Sequence, residues 1–391
     1  MLAELDLDKI FPGSTADEYK KAMESYPGFK ERLEKYGVWA FELEEFDIRH
    51  STFDNIHVGE EAPAEEGWTQ DPDSLDTWFS SGMWTFSTLG WPDNFKDGKK
   101  LGDLAQFHPT QVLETGYEIL TLWVSRMIMM SFFALGEKPF DTVYLHGMVL
   151  DEKGKKMSKS KGNGIDPLDV IAKYGTDAVR LSLLIGSTPG NDVRVFEEKI
   201  EGFRNMVNKL WNVARYSITN YELRIMNYEF NQDKLTSADN WILYKLSVLK
   251  EQVTDDIENY NFSQAGEKLR EFTWNDLADW YIEASKFSQS EEKDKVLSLV
   301  LDDLLKLWHP FIPFVTEKIW ELMGKDKMLM VSNWPSIQSL PLDKGEDRRG
   351  SGQASFEKII NIISAIRNAR AENQVEPSRK VEAIICAGKE K

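Results

Sequence analysis

Lys155-Lys156-Met157-Ser158-Lys159-Ser160-Lys161-Gly162-Asn163-Gly164, with Lys153-Gly154 just before it, decides how the rest of the chain is read. The stretch is lysine-dense, glycine-flanked and without apolar periodicity, so it reads as a loop. Before it, Thr142-Val143-Tyr144-Leu145-His146-Gly147-Met148-Val149-Leu150 reads as one strand. After it a helix is predicted to start, with Asp166 as cap, Pro167 at the first helical position and Asp169 in the first turn. A cationic loop between strand and helix can close over a polyphosphate and neutralise charge that develops as the ester is attacked. Lysines in a loop are more often a solvated turn, so the neighbouring sequence has to decide.

Working outward upstream, His108-Pro109-Thr110-Gln111-Val112-Leu113-Glu114-Thr115-Gly116 contains a short buried strand, Val112-Leu113, ended by Gly116. A helix follows from Tyr117 or Glu118 to about Phe133, with Ile119, Trp123 and Met127 on one stripe and Leu122, Arg126 and Met130 on another. A strand-Gly-helix turn at the carboxyl end of a parallel strand is where open α/β sheets bind ligands. Earlier still, Leu75-Asp76-Thr77-Trp78-Phe79-Ser80-Ser81-Gly82-Met83-Trp84 leads to Ser87-Thr88-Leu89-Gly90-Trp91-Pro92, and four tryptophans fall from Trp68 to Trp91. Taken singly, each tryptophan reads as core. Residues 59–74 read as a loop. Ahead of them, helices are expected at Thr15–Tyr26 and Phe29–Tyr36, and an edge strand at Phe41–Ile48.

Downstream, Leu168, Ile171 and Tyr174, then Ala178, Leu181, Leu184 and Ile185, predict two short amphipathic helices, the second capped by Thr176. Strand, helix, strand, loop, helix is half of a doubly wound sheet. From Phe196 the pattern is helical, with Phe203, Val207, Leu210, Trp211 and Ala214 on one face of the first helix. Long helices are predicted over Ser237–Tyr260, Phe262–Lys286 and Glu291–Leu307, and a last one over Thr316–Gly324, which together make a bundle. Lone His309, among prolines, reads as structural. Residues 335–352 read as a linker. Phe356–Glu372 follows as a helix with Ile359, Ile363 and Ile366 inward and Arg367 and Arg370 exposed, and Val381–Cys386 as a strand.

The 391 residues suffice for two or three domains. No run of about eighteen apolar residues occurs, so no membrane span is expected, and no signal peptide is visible. One cysteine, Cys386, and no Cys/His cluster imply neither disulfide nor structural zinc and fit a cytoplasmic protein. The net charge of −18 is concentrated in residues 1–76, which hold 20 acidic and 7 basic residues. An acidic total argues against indiscriminate nucleic-acid binding without excluding a local basic face.

Lys156-Met157-Ser158-Lys159-Ser160, with His146-Gly147, Gly162-Asn163 and Asp166-Pro167 around it, resembles the KMSKS signature of class I aminoacyl-tRNA synthetases. The Leu75–Gly82 and Ser87–Pro92 wording is similar to the valyl-tRNA synthetase family in particular. Phe272-Thr273-Trp274, Trp280-Tyr281-Ile282-Glu283 and His309–Glu317 resemble the anticodon-binding bundle of the valyl, isoleucyl and leucyl enzymes. The resemblance implies an α/β half of a doubly wound (Rossmann-like) parallel sheet over 56–195, followed by an all-α anticodon-binding helical bundle over 196–340. Residues 1–55 match nothing expected, and 341–391 hold a linker and the opening of a further domain.

What the resemblance implies functionally is activation of valine by ATP, with its accompanying Mg2+, and transfer to tRNA(Val), without a bound structural metal. Lys156, Met157, Ser158, Lys159 and Ser160 would stabilise the pyrophosphate, with the main transition-state role on Lys159. Gly116, Glu118, His146 and Gly147 would contact ATP. Glu118 stands where the family has an aspartate on the ribose, and Gly147 where backbone approaches adenine. Trp78, Ile119 and Trp123 would wall a valine pocket; a rigid aromatic wall excludes larger side chains. The partner signature His-x-Gly-His is absent from the sequence; His57-Val58-Gly59-Glu60 is a decoy lacking the second histidine. Neither the first half of the nucleotide fold nor an editing domain has a counterpart. The chain is therefore expected to need a separate amino-terminal half polypeptide. It fits a natural split half, a gene fragment or a replaced amino terminus, with a non-catalytic tRNA-binding remnant as the alternative function.

Overall fold

The computed structural model describes residues 63–64, 68–70, 72, 74–158, 162–223, 228–287, 289–336, 351–376 and 379–380, without the side chains of 351–354. The expected helices and strand within 1–55, the decoy at His57, and the strand at Val381–Cys386 lie outside the described residues. So do Lys159, Ser160 and Lys161. The chain divides into units Met1–Ser74 and Leu75–Lys391. The few described residues of the first unit are neither helical nor extended in a sheet.

The second unit begins with α1 (Thr77–Ser87), whose cap Asp76 accepts from Trp78 N at 2.6 Å. A small hairpin, β1 (Phe95–Lys96) and β2 (Lys99–Lys100), and α2 (Gly102–Phe107) lead to β3 (Thr110–Gly116). The chain then turns through a tight Tyr117–Ile119 turn and a wide π turn, Leu120–Val124, into α3 (Ser125–Leu135). Gly136, at φ 74°, ends α3 in the left-handed conformation that glycine tolerates. The chain returns as β4 (Phe140–His146), parallel to β3 with Val112 opposite Thr142 and Gly116 opposite His146. This is the predicted strand-helix-strand unit, and Leu113, Val124, Met127 and Phe140 are its core.

Tyr117–Leu135 passes the length and composition test for a membrane-crossing helix, with mean hydropathy 1.5 and 17% of it buried, where the sequence led us to expect no such segment. Its two flanking strands lie side by side in one sheet, so it is a crossover helix. Its apolar outer face, with Leu122, Met129 and Phe133 exposed, and the second edge of β3 carry no partner strand among the described residues.

The strand expected over Thr142–Leu150 is broken. It leaves the first sheet after His146, and β5 (Val149–Leu150) pairs instead with β6 (Val193–Arg194) in a separate parallel pair. Gly147 makes the break possible: a Cβ there would lie 1.7 Å from Asn191 O, so only glycine lets the 190–192 backbone cross. After the lysine loop come α4 (Pro167–Tyr174) and α5 (Thr176–Leu184). Asp166 caps α4 as predicted, accepting from Leu168 N at 2.8 Å. Thr176 does not cap α5; Gly175, at φ 89°, occupies that position without a side-chain bond. Leu168 is 74% exposed, and Val170 packs inward instead.

The bundle comprises α6 (Glu197–Asn220), α7 (Ser237–Glu258), α8 (Phe262–Glu271) running through a π stretch, Phe272–Tyr281, into α9 (Ile282–Ser285), α10 (Glu291–Trp308), α11 (Pro313–Leu322) and α12 (Ser351–Glu372). One continuous apolar core runs from Leu181 of α5 to Phe356 of α12. On α12 one expected inward residue is misplaced: Phe356 and Ile360 pack on the core and Ile359 is 45% exposed, while Ile363 and Ile366 are half-buried as expected and exposed Arg367 lies over the Trp280 ring at 4.9 Å. Lys250 and Asp303 form a buried ion pair at 2.7 Å.

The α/β part is pinned to the bundle through backbone groups. Asp177 accepts from Val315 N at 2.7 Å in the first turn of α11, where the helix end favours a negative charge. Arg180 donates to Phe311 O and Pro310 O, each at 3.0 Å. Burial holds the Asp177 carboxyl above its usual range, against the pull of these amides and Arg180. His309 Nδ1 lies 2.9 Å from Thr316 Oγ1, a bond between the ends of α10 and α11, which is the structural role expected of it.

Candidate active site

The carboxyl ends of β3 and β4 carry the site. Trp78, Ser80, Ser81 and Trp84 on α1, together with Ile119 and Trp123 from the start of the crossover helix, line an open cavity of ≈ 520 Å³. All three residues expected in the valine pocket are in its wall. Gly82 lets α1 approach α3, since a Cβ there would meet Met130 Sδ at 2.6 Å. The indole of Trp123 is oriented by donation to Ser81 O at 3.1 Å, and it lies 6.3 Å from the Trp84 ring. Arg126 Cζ lies 5.6 Å from the centre of the Trp78 ring, a cation–π contact that steadies that wall. Pinned aromatic side chains keep a pocket's volume fixed, which size discrimination requires.

Glu118 immediately precedes Ile119 of the cavity wall. Its carboxylate receives Lys156 Nζ at 2.7 and 2.9 Å on its two oxygens. The residue expected to face ribose thus holds the first lysine of the signature stretch. His146 sits over Gly116, whose added Cβ would lie 3.4 Å from His146 Cε1, and its Nε2 lies 3.5 Å from Glu114 Oε1. Gly116, Glu118, His146 and Gly147 therefore do gather at adjoining strand ends. The Cβ side of Gly147 is filled by the chain's own 191–192 backbone.

Two residues at this edge, Asp192 and Asp151, carry no sequence signal of their own. Asp192 Oδ1 accepts from Met148 N at 2.7 Å and from Tyr117 OH at 3.2 Å, joining the ends of both strands. Pro189-Gly190-Asn191-Asp192 reads only as a turn. Asp151 and Asn163 bracket the lysine stretch: Asn163 accepts from Ser158 N at 3.1 Å and donates to Asp151 Oδ2 at 2.9 Å. The bond from Asn163 and, after it, one from the Lys155 backbone hold the half-buried Asp151 carboxyl below its usual range. Met157 is half-buried, packed on the Val170–Val193–Ile200 cluster, and so anchors the loop. Among the described residues no group of three or more His, Cys, Asp or Glu side chains is placed to hold a metal.

Residues 34–196 match the family described as tRNA synthetases class I (I, L, M and V), and residues 239–385 match the anticodon-binding domain of tRNA ligase. The chain is 45% identical over 330 residues to a valine–tRNA ligase of Clostridium tetani, covering 82% of this chain and 36% of that protein. It is 43% identical over 345 residues to one of Oceanobacillus iheyensis, covering 86% and 38%. To one of Staphylococcus epidermidis it is 38% identical over 394 residues, covering 98% and 43%. Among solved structures it resembles the ternary complex of Agrobacterium radiobacter K84 agnB2 LeuRS-tRNA-LeuAMS, with a TM-score of 0.56, 26% identity, and coverage of 69% of this chain and 34% of that one. The chain spans about two fifths of the length of the curated relatives it matches. The match from residue 34 and the 98% coverage carry the likeness into residues 1–55, where the motifs led us to expect none. That segment holds no signature wording for a motif reading to register.

Proposed function

The chain belongs to the class I tRNA synthetases, an enzyme family, with the α/β and anticodon-binding parts of that architecture, and from that premise we propose that it serves valine–tRNA ligation. In this reading valine enters the cavity walled by Trp78, Ile119 and Trp123. ATP, with Mg2+ on its phosphates, lies along Gly116, Glu118, His146 and Gly147. Lys156, Ser158 and Lys159 with their neighbours Met157 and Ser160 form the loop that meets the phosphates, and valyl-adenylate then passes its acyl group to tRNA(Val). One observation carries the reading: of the consecutive residues Glu118 and Ile119, the first holds Lys156 of the lysine stretch and the second lines the cavity wall. An activated amino acid and the phosphates leaving it need that adjacency.

The part over 56–195 supplies this site and the part over 196–340 the anticodon-binding surface. The edge of β3 that has no partner strand among the described residues and the exposed face of Tyr117–Leu135 favour a complementary amino-terminal half as partner for catalysis. Valine-dependent ATP–pyrophosphate exchange tests the proposal: it should be undetectable with this chain alone and appear with the complementary half. No exchange in a folded assembly of both would sink it.

A second reading, tRNA binding without catalysis, is favoured by the continuous core of the bundle. In that case the chain binds tRNA with steep salt dependence and never yields exchange.

A further inference from the structure

Asn163 ties together the two ends of the signature loop. Its amide nitrogen donates to Asp151 Oδ2 at 2.9 Å and to Lys156 O at 3.3 Å, and its oxygen accepts from Ser158 N at 3.1 Å. Asp151 uses its other oxygen to accept from Lys155 N at 2.8 Å. The same stretch is a hairpin: Asp151 N donates to Lys155 O at 2.9 Å, Met157 N to Val149 O at 3.3 Å, and Leu150 bridges Lys156. One carboxylate and one amide thus hold three backbone groups that flank and include Lys156. The ammonium of that lysine reaches Glu118, 38 residues earlier in the chain.

An amide suits position 163 because it makes two donations, to Asp151 Oδ2 and Lys156 O, and one acceptance, from Ser158 N. It must donate to a carboxylate and accept from an N–H with the same side chain, which neither aspartate nor an apolar residue can do. Charge on Asp151 strengthens the central bond. Burial contributes little here, because Lys156 and Glu118 remain 48% and 43% exposed, so the placement must come from directional bonds.

We infer that Asn163, through Asp151, is a positioning residue that fixes the backbone of Lys155–Ser158 so that Lys156 meets Glu118 at the rim of the cavity. The purpose of that placement, presenting the loop to ATP, rests on the adenylation reading above; the placement itself does not.

A zero-length carbodiimide cross-link on the full chain, with the Lys156–Glu118 isopeptide quantified by mass spectrometry, reads the placement without activity. Asn163→Ala and Asn163→Asp should each lower the yield about fivefold or more, the scale of losing directional charge-assisted bonds. The reciprocal pair Asp151→Asn with Asn163→Asp keeps acceptors for Lys155 N and Ser158 N, reverses the central donor and gives up only the longer, 3.3 Å bond to Lys156 O. It should restore the yield to within about twofold. Circular dichroism confirms that each variant is folded. An unchanged yield in Asn163→Ala, or a reciprocal pair no better than the single variants, overturns the inference. If the pair rescues while exchange is never observed, the placement stands and the adenylation purpose falls.

Discussion

Lys156 Nζ lies 2.7 and 2.9 Å from the two carboxylate oxygens of Glu118, which joins the signature loop to the turn that ends β3. An exposed pair of this kind is weak and salt-screened, so it can yield to a ligand. Glu118→Ala should raise the rate of limited tryptic cleavage after Lys156 about two- to fivefold at low salt, with the gap from the unsubstituted chain closing as salt is raised. Equal cleavage of both at every salt concentration would show that the pair does not restrain the loop.

Gly147→Ala should destabilise the fold by about 1–3 kcal/mol, the usual cost of forcing a group into filled space. The added methyl group would lie 1.7 Å from Asn191 O, which is backbone and cannot rotate away. The displaced loop also carries Asp192, so the amide of Met148 should lose hydrogen-exchange protection in the same variant. Urea unfolding and exchange measured together check this; a neutral effect on both would contradict the packing.

A buried histidine gives a pH dependence. His108 Nε2 lies 3.2 Å from Ser131 Oγ and its Nδ1 3.0 Å from Glu137 Oε1, with Lys100 Nζ 2.5 Å from that same oxygen. Burial holds the His108 pKa below its ordinary 6.5, outweighing Glu137. A base with a depressed folded pKa contributes stability that is complete above its unfolded value and is lost as pH falls below it. The buried carboxyls Asp177 and Asp303 are shifted upward, chiefly by burial, and work in the opposite sense in the acid range. The useful quantity is therefore a difference: between pH 7.5 and 5.5 the unsubstituted chain should lose more stability than His108→Gln. Equal losses would remove His108 from the account.

The cavity wall was legible in the sequence because Trp78 stands within wording specific to one family and the same resemblance singles out Ile119 and Trp123, and the crossover topology followed from apolar pattern and a glycine. The break after His146 was not legible, because Thr142–Leu150 is extended throughout. What divides it is a clash-free crossing at Gly147 by residues more than forty positions later. What Asp192, Asp151 and Asn163 hold was hidden for the same reason: most of their partners are backbone groups, which leave no pattern in side-chain order. Ile359 on α12 was misplaced because four isoleucines, Ile359, Ile360, Ile362 and Ile363, present two apolar stripes, and the packing of Phe356 against Trp241 selects the one that holds Ile360 and Ile363.

The most direct measurement of the central claim is pre-steady-state valyl-adenylate formation by this chain with its complementary half, for three variants. Lys159→Ala should lower the rate about 10²–10³-fold, the scale of removing one oriented charge-stabilising donor, with valine affinity nearly unchanged. Trp123→Ala should first weaken valine binding and its discrimination from larger side chains, because its indole walls the cavity and is fixed by Ser81 O. Lys153→Ala, outside the signature pentapeptide, should act as a surface change. If Lys159→Ala and Lys153→Ala are equally mild, or Trp123→Ala leaves valine binding intact, the assignment of loop and cavity to valine activation is wrong.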